Sequence, residues 1–160
     1  MTEVKQLHEV GGLMSCLFTH EVQKSTGKFE WTGPKMRWET WRQVLAFFRW
    51  TNTEHHSESQ VRFFVNHKLG LWAAHAFPQE ARTGMSAREL DTPEAAAQRA
   101  RFSDTEGWLY WGTAHHHCSG GAFQSSTDLN NERNQDGLHI TVGNMDRDVH
   151  DLHCRMYVSG

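Results

Sequence analysis

The spacing of apolar residues changes several times along this chain, and each change marks an element. From Met36 to Trp50, Trp38, Trp41, Val44, Leu45 and Phe48 recur at steps of three and four. That period predicts an amphipathic helix whose aromatic stripe packs on a sheet. The Gly33-Pro34 pair precedes this helix and the polar segment Thr51 to Ser57 ends it. Val61, Phe63 and Val65 then alternate with Arg62 and Phe64, a turn occupies Asn66 to Gly70, and Leu71 to Phe77 leads to Pro78. This pattern predicts a β-hairpin. After a looser stretch from Gln79, Asp91-Thr92-Pro93-Glu94 opens a second helix reaching about Phe102, with proline in its first turn.

The C-terminal third reads as strand, helix, strand, strand. Trp108 to His117 is apolar and aromatic, Ser125 to about Asn134 is helical and stops at Asp136-Gly137, and Leu138 to Val142 is again a strand. After a turn at Asn144 to Asp148, Cys154, Met156 and Val158 alternate in a last strand, Leu152 to Val158. Residues 1 to about 33 have only short apolar pieces, Leu13-Met14 and Cys16-Leu17-Phe18. They predict one strand and a polar turn around Lys24 to Lys28.

At 160 residues the length predicts a single domain able to bury a core. Sixteen basic residues against 19 acidic ones give a net charge of −3, which recommends neither a nucleic-acid nor an anionic-membrane partner. No run approaches a membrane span, and Glu3 and His8 make the N-terminus a poor signal peptide. Cys16, Cys118 and Cys154 are odd in number and contain no C-x2-C pair, the pattern of reduced thiols in a cytoplasmic protein. The chain stops at Ser159-Gly160 without a polar tail, as a domain of a longer protein would. The 12 histidines are the unusual part of the composition.

Three of them stand together in the stretch WLYWGTAHHHCSGGAFQSSTD, Trp108 to Asp128. Alternate residues of a strand share a face, so His115 and His117 present both imidazoles on one side while His116 points to the other. A turn at Ser119-Gly120-Gly121 that folds the next helix back over the strand would bring Asp128 to the same point. Two imidazoles and a carboxylate suit Zn2+ and leave a fourth tetrahedral position open, the mark of a catalytic site. Each part also has a plain structural reading. Ser125 with an acidic residue three positions on is a helix-capping pattern, and clustered histidines occur on surfaces. His116 and Cys118 form a second same-face pair, but no residue at matching spacing completes it, leaving Cys118 as a buried neighbour. His139, in the adjacent strand, is placed to hold a ligand or a core group. His8-Glu9 and His20-Glu21 begin like H-E-x-x-H and lack its second histidine.

Taken together, His115, His117, Ser125 and Asp128 spell H-x-H-x7-S-x2-D, which resembles the JAMM signature of the JAB/MPN metalloprotease family. The resemblance runs from about Met36 to Val158. It implies an α/β (mixed α+β) MPN fold over residues 36–160, a curved mixed sheet with helices on both faces and zinc at a strand end. Residues 1–35 would be an N-terminal extension or edge elements, and family members differ there and across Gln79 to Asp104. His-His-His stands where His-Ser-His or His-Thr-His is commoner, which puts a solvent-side residue at His116. The implied reaction is zinc-dependent hydrolysis of a peptide or isopeptide bond after the C-terminal tail of a ubiquitin-like protein. In that reaction Ser125 would donate to the oxyanion and an upstream glutamate would act as base. Glu58, at the start of the strand after the long helix, matches the family's position. Glu54 is the second choice and Glu9, in an HEVGGL run, the third. The family also contains metal-free MPN domains that act as scaffolds or binding modules, and these usually lack the ligands that this chain keeps.

Overall fold

A computed structural model describes residues 4–10, 14–21, 24–82, 86–104 and 107–158. Its centre is a five-stranded mixed sheet in the order β10-β9-β8-β4-β5, where β4 is Gln60–Asn66, β5 Leu71–His75, β8 Trp108–His116, β9 Gly137–Gly143 and β10 Asp151–Tyr157. β8 and β9 run parallel and the other neighbours antiparallel. A parallel pair needs a crossover, and α3 (Ser126–Glu132) supplies it. The long helix α1 (Trp38–His55) and α2 (Pro93–Asp104) follow from the predicted patterns. The side chain of Thr92 caps α2 by accepting from the Ala95 backbone N–H at 3.2 Å.

The helices pack on opposite faces of the sheet. On one face Val44 and Phe48 of α1 meet Val61, Phe63, Ala114, Ile140 and Val142. On the other, Phe102 of α2 stacks on Phe64 with ring centroids 4.5 Å apart. A bulge between Arg62 and Phe64 of β4 sets Phe63 against two residues of β8, Trp111 and Gly112. Gly112 has φ +106, and a Cβ there would lie 2.0 Å from the Leu138 carbonyl oxygen. The bulge switches the alternation of β8. Before it, Trp111 points to the α1 side, packing with Val65. After it, Ala114 takes that side, and Thr113 and His115 turn to the face that carries α2 and α3.

Several expectations change. Residues 1–33 hold three strands, β1 (Val4–Val10), β2 (Met14–Glu21) and β3 (Lys24–Trp31), in an antiparallel meander, so the Lys24 to Lys28 segment belongs to a strand. Trp31 at the end of β3 reaches the main sheet, 5.3 Å from the Trp111 ring and 5.7 Å from that of Trp72. The stretch after Pro78 contains a further hairpin, β6 (Gln79–Arg82) with β7 (Ser86–Glu89). It is tied to the sheet by a bidentate Arg62–Glu89 ion pair. Helix α1 passes through the polar Thr51 segment to His55, because Thr51 is buried and its hydroxyl donates to the Phe48 carbonyl at 3.0 Å. Trp38, read as part of the core stripe, is 61% exposed in the first turn of α1, while Val44 and Phe48 carry the burial.

Candidate metal centre

The two ends of the motif are built by different local devices. His115 and His117 flank the end of β8, and the backbone then folds back, with the Gly120 N–H donating to the His117 carbonyl at 2.7 Å. The turn is stitched to the end of β9: the Asn144 N–H donates to the Gly120 carbonyl at 2.7 Å and the Met145 N–H to the Cys118 carbonyl at 2.8 Å. Gly143 allows that approach, since a Cβ on it would lie 2.2 Å from the Ala122 nitrogen. Asp128 is fixed by a capping box at the start of α3. Its own N–H donates to Ser125 Oγ at 3.1 Å, and its Oδ2 accepts from the Ser125 N–H at 2.8 Å. The capping reading of Ser125 is met, and the cap leaves the Asp128 carboxylate facing His115 and His117, a geometry compatible with a ligand role.

These devices bring His115, His117 and Asp128 to one point. His115 Nε2 lies 3.2 Å from His117 Nε2 and 3.4 Å from Asp128 Oδ1, and His117 Nε2 lies 3.6 Å from Asp128 Oδ2. A tetrahedral zinc with bonds near 2.1 Å separates neighbouring ligand atoms by about 3.4 Å. The two imidazoles lie near that spacing, Asp128 meets them through its two different oxygens, and one donor atom from each of the three side chains falls within 4.8 Å of the others, a set whose chemistry suits the ion. The His117 Nδ1–H donates to the Gly121 carbonyl at 3.3 Å. That bond fixes a proton on Nδ1, so that with an ion in place the Nε2 lone pair would face it, while in the metal-free protein Nε2–H donates to Asp128. Thr141 Oγ1, across the parallel pair, is 3.4 Å from His115 Nε2. Burial raises the Asp128 carboxyl, but hydrogen bonds from His115 and His117 outweigh it and hold the group well below the usual carboxylate range. The hydrogen bond to Asp128 raises His117 in turn, against its burial. Among the described residues this is the group of His, Cys, Asp and Glu side chains whose donor atoms lie within 4.8 Å of one another.

Glu58 lies at the same end of the sheet. Gln60 pairs with His115, so the antiparallel register, carried two residues further, sets Glu58 across from His117 and on the same face. Glu58 and the three clustered side chains line a cleft of about 820 Å³, together with Ser125, Cys118 and Phe123. Burial pushes the Glu58 carboxyl above the ordinary glutamate value. The charges of His117 and His115 oppose that shift and Asp128 adds to it. Glu54 is exposed on the last turn of α1 and is not part of the cleft. Glu9 pairs with Ser15 between β1 and β2, and its side chain falls outside the described residues.

Two neighbours differ from expectation. His116 is completely buried rather than solvent-facing, because the face of β8 opposite the cleft is covered by α1. Cys118 is partly exposed at the rim of the cleft with φ +46, where the backbone leaves the strand. His139 is completely buried beside the site, its Nδ1 2.9 Å from Thr113 Oγ1 and its Nε2 2.9 Å from the Gln135 carbonyl.

No protein-family model and no curated protein matches this chain. Among solved structures, it is similar to the solution structure of protein DSY2949 from Desulfitobacterium hafniense, with a TM-score of 0.54 and 10% identity, covering 77% of this chain and 90% of that one. At that identity the likeness is one of fold.

Proposed function

We propose that this protein is a zinc-dependent peptidase or isopeptidase of the JAMM type, acting after the C-terminal tail of a ubiquitin-like protein. One observation carries the reading: two imidazoles and a carboxylate converge, with donor atoms within 4.8 Å of one another, in a cleft that a half-buried glutamate also lines. His115, His117 and Asp128 would hold the ion. Zinc there supplies Lewis acidity toward the scissile carbonyl and makes a water more acidic.

The chain's own groups account for the remaining requirements of amide hydrolysis. Glu58 accepts the proton of the attacking water and delivers it to the departing amine, a task suited to a carboxyl that burial has made more basic. The Ser125 oxygen accepts from the Asp128 N–H, which leaves its own hydroxyl proton free to donate toward the oxyanion. An extended tail would bind by main-chain hydrogen bonds along the cleft.

Zinc content together with cleavage of a ubiquitin-like fusion tests the proposal. The wild-type protein is expected to carry one zinc and to cleave the fusion, and Glu58→Gln to keep the zinc and lose cleavage. A metal-free wild-type protein would instead support the scaffold reading, and undiminished cleavage by Glu58→Gln would move the base to another residue.

A further inference from the structure

His116, between the two histidines of the cluster, faces away from the cleft and is completely buried. The Cys118 N–H donates to its Nδ1 at 3.2 Å, so Nδ1 is the acceptor and the proton resides on Nε2. That Nε2 is 3.1 Å from both Ser59 Oγ and Thr51 Oγ1, and the two hydroxyls are 2.7 Å apart. One assignment satisfies every group: Nε2–H donates to the hydroxyl pair, Ser59 donates to Thr51, and Thr51 donates to the Phe48 carbonyl at 3.0 Å. The imidazole also packs on the Phe48 ring at 4.9 Å. The backbone closes the same circuit, with the His116 N–H donating to the Ser59 carbonyl at 3.3 Å.

This network joins three separate pieces of chain. Thr51 belongs to α1, Ser59 immediately follows Glu58, and His116 and Cys118 bracket His117. We infer that His116 is a positioning residue that locks the Glu58 backbone and the His115/His117 pair into one frame. The inference rests on the proposed zinc site and deepens it. It gives a role to the residue at which this chain departs from the commoner His-Ser-His or His-Thr-His pattern. Imidazole spans the distance from the Cys118 amide on one side to two hydroxyls on the other, whereas a serine hydroxyl ends short of that reach.

The test pairs His116→Leu, which keeps an apolar body against Phe48 and removes both hydrogen bonds, with His116→Gln, whose amide retains a donor near the Nε2 position. Zinc affinity is measured by chelator competition on protein shown to be folded by circular dichroism. His116→Leu is expected to bind zinc roughly 10- to 100-fold more weakly, in the range found when groups behind metal ligands are removed, with His116→Gln recovering most of that loss. At saturating zinc His116→Leu should also turn over more slowly per bound zinc ion, whereas loss of folded protein would lower the zinc stoichiometry and leave turnover per bound ion unchanged. Ser59→Ala should shift affinity in the same direction by less. Wild-type zinc affinity in folded His116→Leu, or no recovery in His116→Gln, overturns the inference and leaves the proposed function standing. Absence of zinc binding by the wild-type protein overturns both before any variant is made.

Discussion

Asp128 does two jobs with one carboxylate, and they separate by substitution. Asparagine retains an oxygen able to accept from the Ser125 N–H, so Asp128→Asn keeps the cap and loses the anionic donor. In urea unfolding at neutral pH the metal-free variant should lose the stability that the carboxylate gains from His115 and His117 and keep that of the cap, while zinc binding followed by calorimetry is nearly abolished. His116 and His139 give a prediction about pH. Burial holds both below the ordinary histidine value, with the charges of His115 and His117 adding to the effect at His116, which falls to about 4. A depressed folded value means that the unfolded chain binds more protons below pH 6.5. Stability from these groups is therefore complete above about pH 6.5 and is lost as pH falls toward 4, by up to roughly 3 kcal/mol for His116. Urea midpoints of metal-free protein across that range measure the loss, and His116→Leu should flatten part of the slope.

Among the elements, β8 depends on the bulge at Gly112. Alanine there would be forced to φ +106 with its Cβ 2.0 Å from the Leu138 carbonyl oxygen. Gly112→Ala should destabilise the fold by about 3 kcal/mol or more and weaken zinc binding, both read from thermal melts with and without the ion. The site is legible in the sequence only as far as local rules reach, and the bulge lies just before the stretch where they apply. Alternation alone placed His115 and His117 on a shared face, and the Ser-x-x-Asp cap aimed Asp128, because both are local rules acting within a few residues. What lies on the reverse face is a tertiary matter: α1 covers it, so His116 is buried where a solvent-side residue was expected. The N-terminal meander is not legible in the sequence because β1 to β3 lack strong alternation and gain definition through pairing with one another. The helix stripe exposed the same limit, since period selects a face but leaves open how far the sheet extends beneath it. Trp38 overhangs and Phe48 does not.

For the whole molecule, zinc bound to the folded state alone adds to stability by mass action, about 4 kcal/mol when free zinc exceeds Kd a thousandfold. A chelator should therefore lower the melting temperature of the wild-type protein and leave that of Asp128→Asn unmoved. Among the described residues, no helix is long and apolar enough to cross a membrane. The parts of the site also differ in how far along the chain they must be gathered. The candidate ligands all fall between His115 and Asp128, held by a turn and a capped helix, whereas Glu58 is brought to them from far upstream by the pairing of β4 with β8 and the Ser59–His116 hydrogen bonds beside it. Closing the longer loop is the entropically harder step. As urea is raised, cleavage should then disappear before the cobalt-substituted protein loses its visible absorption, so that partly opened molecules still hold the ion without a base beside it. On the proposed function, a molecule in that state would carry metal without the proposed peptidase activity, and the β4–β8 seam would set the threshold between the two.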